Sequence, residues 1–356
     1  MARYHRASAA APIRDAGLVE FAADIGDIRE ELRETIADFE GSSVDQPLAV
    51  RYRDEREFLR LLSALQRTIS PLRAERVQCR IAYEPEEEDS GAERDGDDRE
   101  GWVALSDLYG EIGGTSVPDY ILHRNYTIHL QPVVRSDGAT IGYEMLARPM
   151  PEQAPFRPAE LFAAARKIGQ HAFLDRAARH SAIRMGASHL RQGMKRFVNF
   201  LPSSLHRPDA CLQCTFDAIK QSGASPSDYV FEVIESEPLD DPAMSSVFDA
   251  CRREGILLAL DDVGKGFATL DVVERLKPDY VKMDRRWVAR CENDAEKQRY
   301  IDRLIERVSR FGGIVLAEGV ERAEEWHYLK QAGVPLFQGY LFGRAVPVPA
   351  APVLAR

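Results

Sequence analysis

The sequence lacks several features that define common classes of protein. No run of about 18 apolar residues occurs in its 356 residues, so no membrane span is predicted, and no apolar signal segment follows the first arginines. The five cysteines are few and odd in number, which is typical of reduced thiols in a cytoplasmic protein rather than of a disulfide framework. Cys211 and Cys214 form a single CxxC pair, and without a second pair of ligands zinc binding is not expected there.

An excess of positive charge is also absent. The formal net charge is −10, and residues 84–100 hold ten acids and two arginines, a charge of −8 that leaves −2 for the rest of the chain. A segment of this composition is predicted to be a solvated, flexible linker, assigned to residues 83–101. The remainder is not basic, so we expect no direct binding of DNA or RNA.

Short motifs of several enzyme classes are missing as well. The sequence has no GxxxxGK[ST] phosphate loop, no GxSxG nucleophile elbow and no HExxH zinc motif. Its eight histidines are scattered and are interpreted as surface or helix-face residues. A glycosidase would need only two carboxylates, and the other polar residues described below would have no role.

Residues 1–82 are predicted to form a small helical segment with a regulatory or dimerising role. Two apolar stripes have helical spacing, the first at Ile28, Leu32, Ile36 and Phe39 and the second at Phe58, Leu61, Leu62, Leu65 and Ile69. Core packing explains both stripes, and no cofactor motif accompanies them.

Residues 102–356 carry a different pattern, in which β-rich runs alternate with helical segments. Eight such runs are present, at 126–134, 140–147, 196–200, 229–235, 255–260, 279–283, 313–317 and 334–340. This number predicts an α/β fold of the TIM-like (β/α)8 type. The first two runs are joined by "RSDGA", which is too short for a crossover helix, so the first strand should be antiparallel. An open doubly wound sheet is the alternative, but its usual glycine-rich phosphate loop is missing.

Polar side chains stand late in nearly every one of these strands. They are Glu144, Asn199, Glu232, Glu235, Asp261, Asp262, Lys282, Glu318 and Gln338. In a barrel the carboxyl ends of the strands meet at one mouth, where we expect these groups to converge. Oxygen ligands without a histidine or cysteine cluster suit Mg²⁺ or Mn²⁺, and the adjacent acids Asp261 and Asp262 allow two ions to share a ligand. Lys282 would then orient a water or offset charge in the transition state.

The motifs resemble those of the EAL family of cyclic di-GMP phosphodiesterases over roughly residues 120–350. They are "YEMLARP", "FVNFLP", "FEVIE", "LDDVGKGFATL", "DYVKMD", "LAEGVE" and "QGYLFGRAVP", which follow one another in the family's order. The resemblance implies a barrel that hydrolyses cyclic di-GMP to linear pGpG with two Mg²⁺ or Mn²⁺ ions, in bacterial second-messenger signalling. It also implies a homodimer.

The resemblance further implies a role for each matching residue. Glu144, Asn199, Glu232 and Asp261 would hold one metal ion, while Asp261, Asp262 and Glu318 would serve the second ion and its waters. Lys282 would position the attacking water, with Gln338 and Glu321 as further members of the catalytic group. Arg148 and Gln131 would contact the substrate, and Glu235 would support the loop that carries the two aspartates.

Four positions depart from the usual family pattern: Met145, Ile234, Val263 and Lys265. The last three surround the aspartate pair, so they bear on loop conformation and rate rather than on the ligand set. One alternative function is a catalytically weak or silent cyclic di-GMP receptor that acts through partner binding. A metal-dependent phosphodiesterase for another substrate, such as a linear dinucleotide, is a second alternative.

Overall fold

The structure is a computed structural model that describes residues 11–44, 47–83, 101–152, 155–201, 208–233, 242–264 and 268–347. Most of the predicted acidic linker, together with Ile234, Glu235 and Lys265, lies outside the described residues. The chain divides into two compact units. One comprises Met1–Tyr126 with Pro149–Leu174, and the other comprises Thr127–Arg148 with Asp175–Arg356.

The first unit is built around a five-stranded antiparallel sheet. The strands of this unit are β1 (Gly17–Ala23), β2 (Ser42–Ser43), β3 (Leu48–Tyr52), β4 (Val77–Ala82), β5 (Val103–Ala104) and the separate pair β6 (Glu111–Ile112) and β7 (Thr115–Ser116). The sheet order is β2-β3-β1-β4-β5. Its helices are α1 (Gly26–Ala37), α2 (Glu55–Thr68), α3 (Pro71–Ala74), α4 (Val117–His123) and α5 (Pro158–Lys167).

The prediction of a helical N-terminal segment is incomplete. Most of both apolar stripes lies on helices: Ile28, Leu32 and Ile36 are buried on α1, and Phe58, Leu61, Leu62 and Leu65 are buried on α2. Phe39 and Ile69 lie beyond the ends of these helices. The central sheet was missed because its strands are short and their apolar residues alternate. On β1, for example, Val19 and Phe21 are buried while their neighbours are more exposed.

The second unit contains the predicted eight-stranded barrel, and its fold class is confirmed. Its strands are β8 (Tyr126–Arg135), β9 (Thr140–Pro149), β10 (Lys195–Phe200), β11 (Tyr229–Val233), β12 (Leu257–Val263), β13 (Tyr280–Met283), β14 (Ile314–Ala317) and β15 (Leu336–Phe337). They close in the order β10-β11-β12-β13-β14-β15-β8-β9. β9 is parallel to β10, whereas β8 is antiparallel to β15, as the short connection after β8 predicts.

Helices connect the later strands of the barrel. They are α6 (His171–His189), α7 (Pro208–Ser222), α8 (Pro242–Arg253), α9 (Leu270–Leu276), α10 (Arg285–Val288), α11 (Ala295–Ser309) and α12 (Ala323–Gln331). α11 shows why they form: the Asp294 side chain caps its first turn, and Ile301 and Leu304 are buried on one face. None of the described helices combines the length and the apolar character needed to cross a bilayer.

A layer of apolar side chains fills the interior of the barrel below the carboxyl ends of its parallel strands. A buried layer takes one residue from each of seven strands, namely Val133, Phe197, Val230, Ala259, Tyr280, Leu316 and Leu336. Because this layer is closed to water, polar side chains that point inward are accommodated only beyond it, at the carboxyl ends of the parallel strands.

Candidate active site

Lys282 lies at the centre of a group of carboxylates at the mouth of the barrel. Its side chain, on β13, is 1% exposed. Its Nζ atom lies 2.6 Å from Glu232, 2.7 Å from Glu318, 3.1 Å from Asp261 and 3.6 Å from Glu144. Glu232 lies on β11, Asp261 on β12 and Glu144 on β9, while Glu318 directly follows β14. Because these strands are distant in sequence, only closure of the barrel brings the four carboxylates together.

The adjacent aspartates reach the same site because β12 is irregular where they occur. The register between β12 and β13 shifts between Leu260 and Val263, and Asp262 has a left-handed φ of 51°. In a regular strand neighbouring side chains point to opposite faces, whereas a bulge changes the direction of one of them. As a result Asp261, Asp262 and Glu318 each offer an oxygen within 4.8 Å of the others.

Gln338 and Asn199 complete the mouth on either side of the carboxylates. Gln338 follows β15, and its Nε2 donates a hydrogen bond of 2.6 Å to Glu144 Oε2. Asn199 is half-buried on β10 and lies directly opposite Glu232 in the parallel register. The donor from Gln338 orients the Glu144 carboxylate, and Asn199 adds a neutral oxygen next to Glu232.

The pKa values in this group are shifted by burial and by neighbouring charge. Removal from water raises the pKa of Glu232 well above the ordinary carboxyl range, and the charges of Glu144 and Asp261 raise it further against the opposing effect of Lys282. The pKa of Glu318 is raised in the same way. Burial lowers the pKa of Lys282, but the surrounding carboxylates outweigh it, so the net shift is well upward and the ammonium stays protonated.

The site has the composition and the unmet charge of a divalent cation site. When ionised, the four carboxylates around Lys282 carry a charge of −4 against its +1, which leaves a net charge of −3. Of the two buried carboxylate oxygens of Glu232, Oε1 lies 2.6 Å from Lys282 Nζ, and Oε2 has no hydrogen-bond donor among the described residues. Oxygen-only ligands with excess negative charge suit a hard cation such as Mg²⁺ or Mn²⁺, so the residues present fit such ions.

The remaining predicted site residues are placed less centrally. Arg148, at the end of β9, is half-buried and donates to the carbonyl of Ala147; burial lowers its pKa, against the charges of Glu144 and Tyr340. Gln131 on β8 donates to the carbonyl of Gly343 at 3.4 Å. Among the described residues, neither side chain forms a hydrogen bond or an ion pair with the Lys282 group.

Glu321 is found in a different environment from the Lys282 group. Its carboxylate pairs with Arg285 at 2.8 Å, and its side chain is 37% exposed. Its backbone NH donates to the buried carboxylate of Glu325, which also accepts from the backbone NH groups of Arg290 and Arg322. Glu325 thus holds the loop after β14, a role that sequence reasoning missed. The available signal was its position at the third residue of α12, where a glutamate commonly reaches back to cap the helix.

The turn after the aspartate pair rests on two stacked aromatic rings. Trp287 and Tyr300 stack with ring centroids 3.9 Å apart, and a Cβ atom at Gly264 would lie 2.4 Å from Trp287 Nε1 and Tyr300 Oη. Gly264 also has a left-handed φ of 94°. Only glycine fits this position without displacing the rings, so the pattern "DDVG" carries a packing requirement that the sequence did not reveal.

The fold and this geometry define a class of protein, a TIM-like barrel with an acidic cation site around one buried lysine. A family model described as the EAL domain matches residues 116–345, and the chain belongs to that family. This finding confirms the resemblance drawn from the seven motifs.

Individual relatives agree with the family match. The probable cyclic di-GMP phosphodiesterase PdeG of Escherichia coli K12 is 31% identical over 225 residues, which are 61% of this chain and 44% of the relative. A Klebsiella pneumoniae BlrP1 structure, in complex with calcium and cy-diGMP, has a TM-score of 0.57 and 30% identity, and the match covers 62% of this chain and 56% of BlrP1.

A further solved structure is a standalone EAL protein from Vibrio cholerae O395 in a c-di-GMP bound form. It has a TM-score of 0.57 and 26% identity, and the match covers 63% of this chain and 94% of that chain. This chain thus spans about half the length of PdeG and BlrP1, and the part it shares with them includes the barrel.

Proposed function

We propose that this chain is a metal-dependent phosphodiesterase that hydrolyses cyclic di-GMP to linear pGpG. The observation that carries the proposal is the arrangement of four carboxylates around Lys282, with Asp262 beside them. The names of the relatives support the substrate, since PdeG is described as a probable cyclic di-GMP phosphodiesterase and BlrP1 was solved with cy-diGMP.

Two divalent ions, Mg²⁺ or Mn²⁺, are proposed to bind at this mouth. Glu144, Asn199, Glu232 and Asp261 would hold one ion, and Asp261, Asp262 and Glu318 would hold the other. When bound, such ions supply Lewis acidity and lower the pKa of a bound water. The closeness of the last three carboxylates, whose oxygens lie within 4.8 Å of one another, supports this division.

The residues of the chain then have separable tasks in hydrolysis. The reaction adds water across one phosphodiester bond: a water oxygen bonds to phosphorus, the bond from phosphorus to the 3′ oxygen breaks, and that oxygen takes up a proton. Lys282 is proposed to hold the attacking water and to offset charge on the phosphoryl oxygens, because its raised pKa makes it a hydrogen-bond donor and not a base. Arg148 and Gln131 are proposed to contact the substrate, Arg148 through its forked donors.

Gln338 and Glu321 are proposed to act through other residues. Gln338 keeps the Glu144 carboxylate oriented toward the mouth through its 2.6 Å hydrogen bond. Glu321 supports the segment after β14 through its ion pair with Arg285. A supporting role for Glu235 at the loop after β12 stays a prediction.

The test is a product assay with purified protein. Cyclic di-GMP is incubated with Mg²⁺, Mn²⁺ or Ca²⁺, and the nucleotides are resolved by chromatography. We expect pGpG with Mg²⁺ or Mn²⁺, loss of product in Asp261→Asn, and unchanged activity in Asp249→Asn, whose exposed carboxylate lies on α8. Intact cyclic di-GMP under all conditions, with binding detected by calorimetry, would favour the receptor function instead.

A homodimer in the cytoplasm completes the proposal. The cytoplasm is supported by the sparse cysteines, four of which are free among the described residues. Light scattering on the purified protein measures the assembly directly. A mass of 40.0 kDa at all concentrations, that of one chain, would contradict the dimer.

A further inference from the structure

The first unit contains two neighbouring cavities beside helix α2. The larger, of about 710 Å³, is lined by α1, β3 and α2, and the smaller, of about 280 Å³, by α2 and the end of α4. Four residues line both cavities: Phe39, Arg60, Ala64 and Arg67. The two cavities therefore adjoin along one face of α2, and a single molecule can extend from one into the other.

The smaller cavity is basic, although the chain as a whole is acidic. Its lining includes Arg56, Arg60, Arg67 and His123 and no carboxylate. Asp119 contacts two of its lining residues: it accepts a hydrogen bond from Ser63 at 2.8 Å and lies 3.7 Å from His123. The carboxylates that face Arg60 and Arg67 line the larger cavity, so the positive charge is concentrated in the smaller one.

These arginines differ from several other arginines of the same unit, which pair with carboxylates. Arg53 pairs with Glu40, Arg73 pairs with Asp27, and Arg80 pairs with Glu20. Within the described part of the chain, no such ion pair is formed by Arg56, Arg60 or Arg67. Three exposed guanidinium groups on one side of a helix, none of them held in an ion pair with another described residue, offer their donors to an anionic ligand.

The geometry of the helix indicates the shape of that ligand. The three arginines are four and seven residues apart, which places them over about 16 Å of the helix axis at 1.5 Å per residue. The opposite face of α2 is fixed by burial of Phe58, Leu61 and other apolar residues, so the arginine face cannot turn away. A row of this length fits an elongated molecule with several anionic groups better than it fits one isolated ion.

The larger cavity has the complementary chemistry. Its lining includes Arg51 and the carboxylates of Glu34, Asp38, Glu40 and Glu57. Carboxylates can accept hydrogen bonds from the hydroxyl groups of a sugar or the NH groups of a base. Phe39, half-buried between the two cavities, makes no aromatic ring contact with any other described residue. Its ring is thus available to a planar group.

We propose that the two cavities together bind a nucleoside di- or triphosphate, with its phosphates against the arginines and its base or sugar toward the carboxylates. The proposal is independent of the phosphodiesterase activity, since every residue involved belongs to the first unit. It gives this unit the function of a nucleotide-binding module.

The experiment is calorimetric titration of the full chain with GTP in low salt and EDTA, which prevents metal-dependent binding at the barrel. We expect saturable binding at one site, weakened about tenfold or more in Arg60→Glu, because one charge-assisted contact is lost and a like charge is added. Arg76→Glu is the matched control: Arg76 is an exposed arginine of the same unit outside both linings, and its substitution changes the net charge equally. Arg67→Ser provides a second, milder test, and melting curves verify that each variant is folded.

Two further arms identify the ligand class. Inorganic pyrophosphate should bind more weakly than GTP, and Phe39→Leu should weaken GTP binding while leaving pyrophosphate binding unchanged. Absence of saturable GTP binding at millimolar concentration, or equal effects of Arg60→Glu and Arg76→Glu, would overturn the proposal. Pyrophosphate binding as tight as GTP binding would overturn the nucleotide and indicate a free phosphate compound.

Discussion

Replacement of Lys282 by methionine should destabilise the barrel in a way that depends on pH. The substitution removes the one ammonium group among four carboxylates, of which three lie within 3.1 Å of it. Methionine has a similar length but no charge, so the carboxylates are left facing one another in a site shielded from water. Removal of one partner from a buried ion pair costs about 3–5 kcal/mol, and we expect a loss of that order at pH 8 in EDTA.

The sign of the pH dependence follows from the carboxylates. Lys282 lowers the pKa values of Glu232 and Glu318, so its removal moves both further above the unfolded value of about 4.3. A raised carboxyl pKa means that the folded chain keeps a proton that the unfolded chain has released. Stability then falls as the pH rises above the unfolded pKa. The difference from the unmodified protein should be smallest near pH 4 and should grow toward pH 8.

Denaturant unfolding followed by tryptophan fluorescence measures this difference. In a Trp102→Phe background the remaining tryptophans, Trp287 and Trp326, both report on the barrel unit. Lys220→Met is the matched control, because Lys220 pairs with Glu254 at the surface with 53% of its side chain exposed, and such pairs contribute about 0–1 kcal/mol. Addition of Mn²⁺ should narrow the gap, since a cation restores positive charge to the group.

Two results would refute this reasoning. One is a loss of stability in Lys282→Met no larger than that in Lys220→Met. The other is a loss that is the same at pH 4 and pH 8, which would mean that packing of the lysine stem and not carboxylate repulsion sets the cost.

Three other substitutions test the turn and the polar contacts at the mouth. Gly264→Ala should lower the melting temperature and the activity far more than Gly333→Ala. The two glycines have similar left-handed φ angles of 94° and 97°, but only at Gly264 would the added Cβ lie 2.4 Å from Trp287 Nε1. Equal effects of the two substitutions would show that backbone strain alone matters. Asp262→Asn should keep the fold, since asparagine tolerates a left-handed φ, and it should weaken Mn²⁺ binding in a calorimetric titration. Asp262→Val should lower the free energy of unfolding by about 1–2 kcal/mol, because valine is strained in this conformation. Asparagine and valine variants of equal stability would contradict the left-handed conformation. Gln338→Leu should destabilise the barrel by about 1–3 kcal/mol, because it removes the amide that donates a hydrogen bond to the Glu144 carboxylate. An unchanged free energy of unfolding in a denaturant titration would show that water replaces the amide.

Local sequence features were enough to predict the barrel and its mouth. β-rich runs separated by turns or helical segments predicted all eight strands, because each run has to be largely apolar to fit a strand buried on both faces. The polar residues that interrupt these runs could be assigned to one end, since the carboxyl ends of parallel strands necessarily meet. The order of motifs then indicated the EAL family, which the family match to residues 116–345 confirms.

Features that depend on long-range contacts were not predictable in this way. The strands around β1 were missed because β1 pairs with β3 and β4, which lie far along the chain, and short alternating runs carry little information without their partners. The pairing of Glu321 with Arg285 depends on how the loop after β14 folds back.

The sequence by itself therefore determined which residue types meet at the barrel mouth, because strand order and direction follow from local pattern. Tertiary structure decided how they meet. The left-handed conformation of Asp262, the shift in register beside it and the central position of Lys282 all arise from closure of the sheet around a filled interior. The sequence determines the spacing of the arginines on α2, but only packing of α1, β3 and α4 around that helix creates cavities. Local pattern specifies chemistry, and the packing of distant segments specifies geometry.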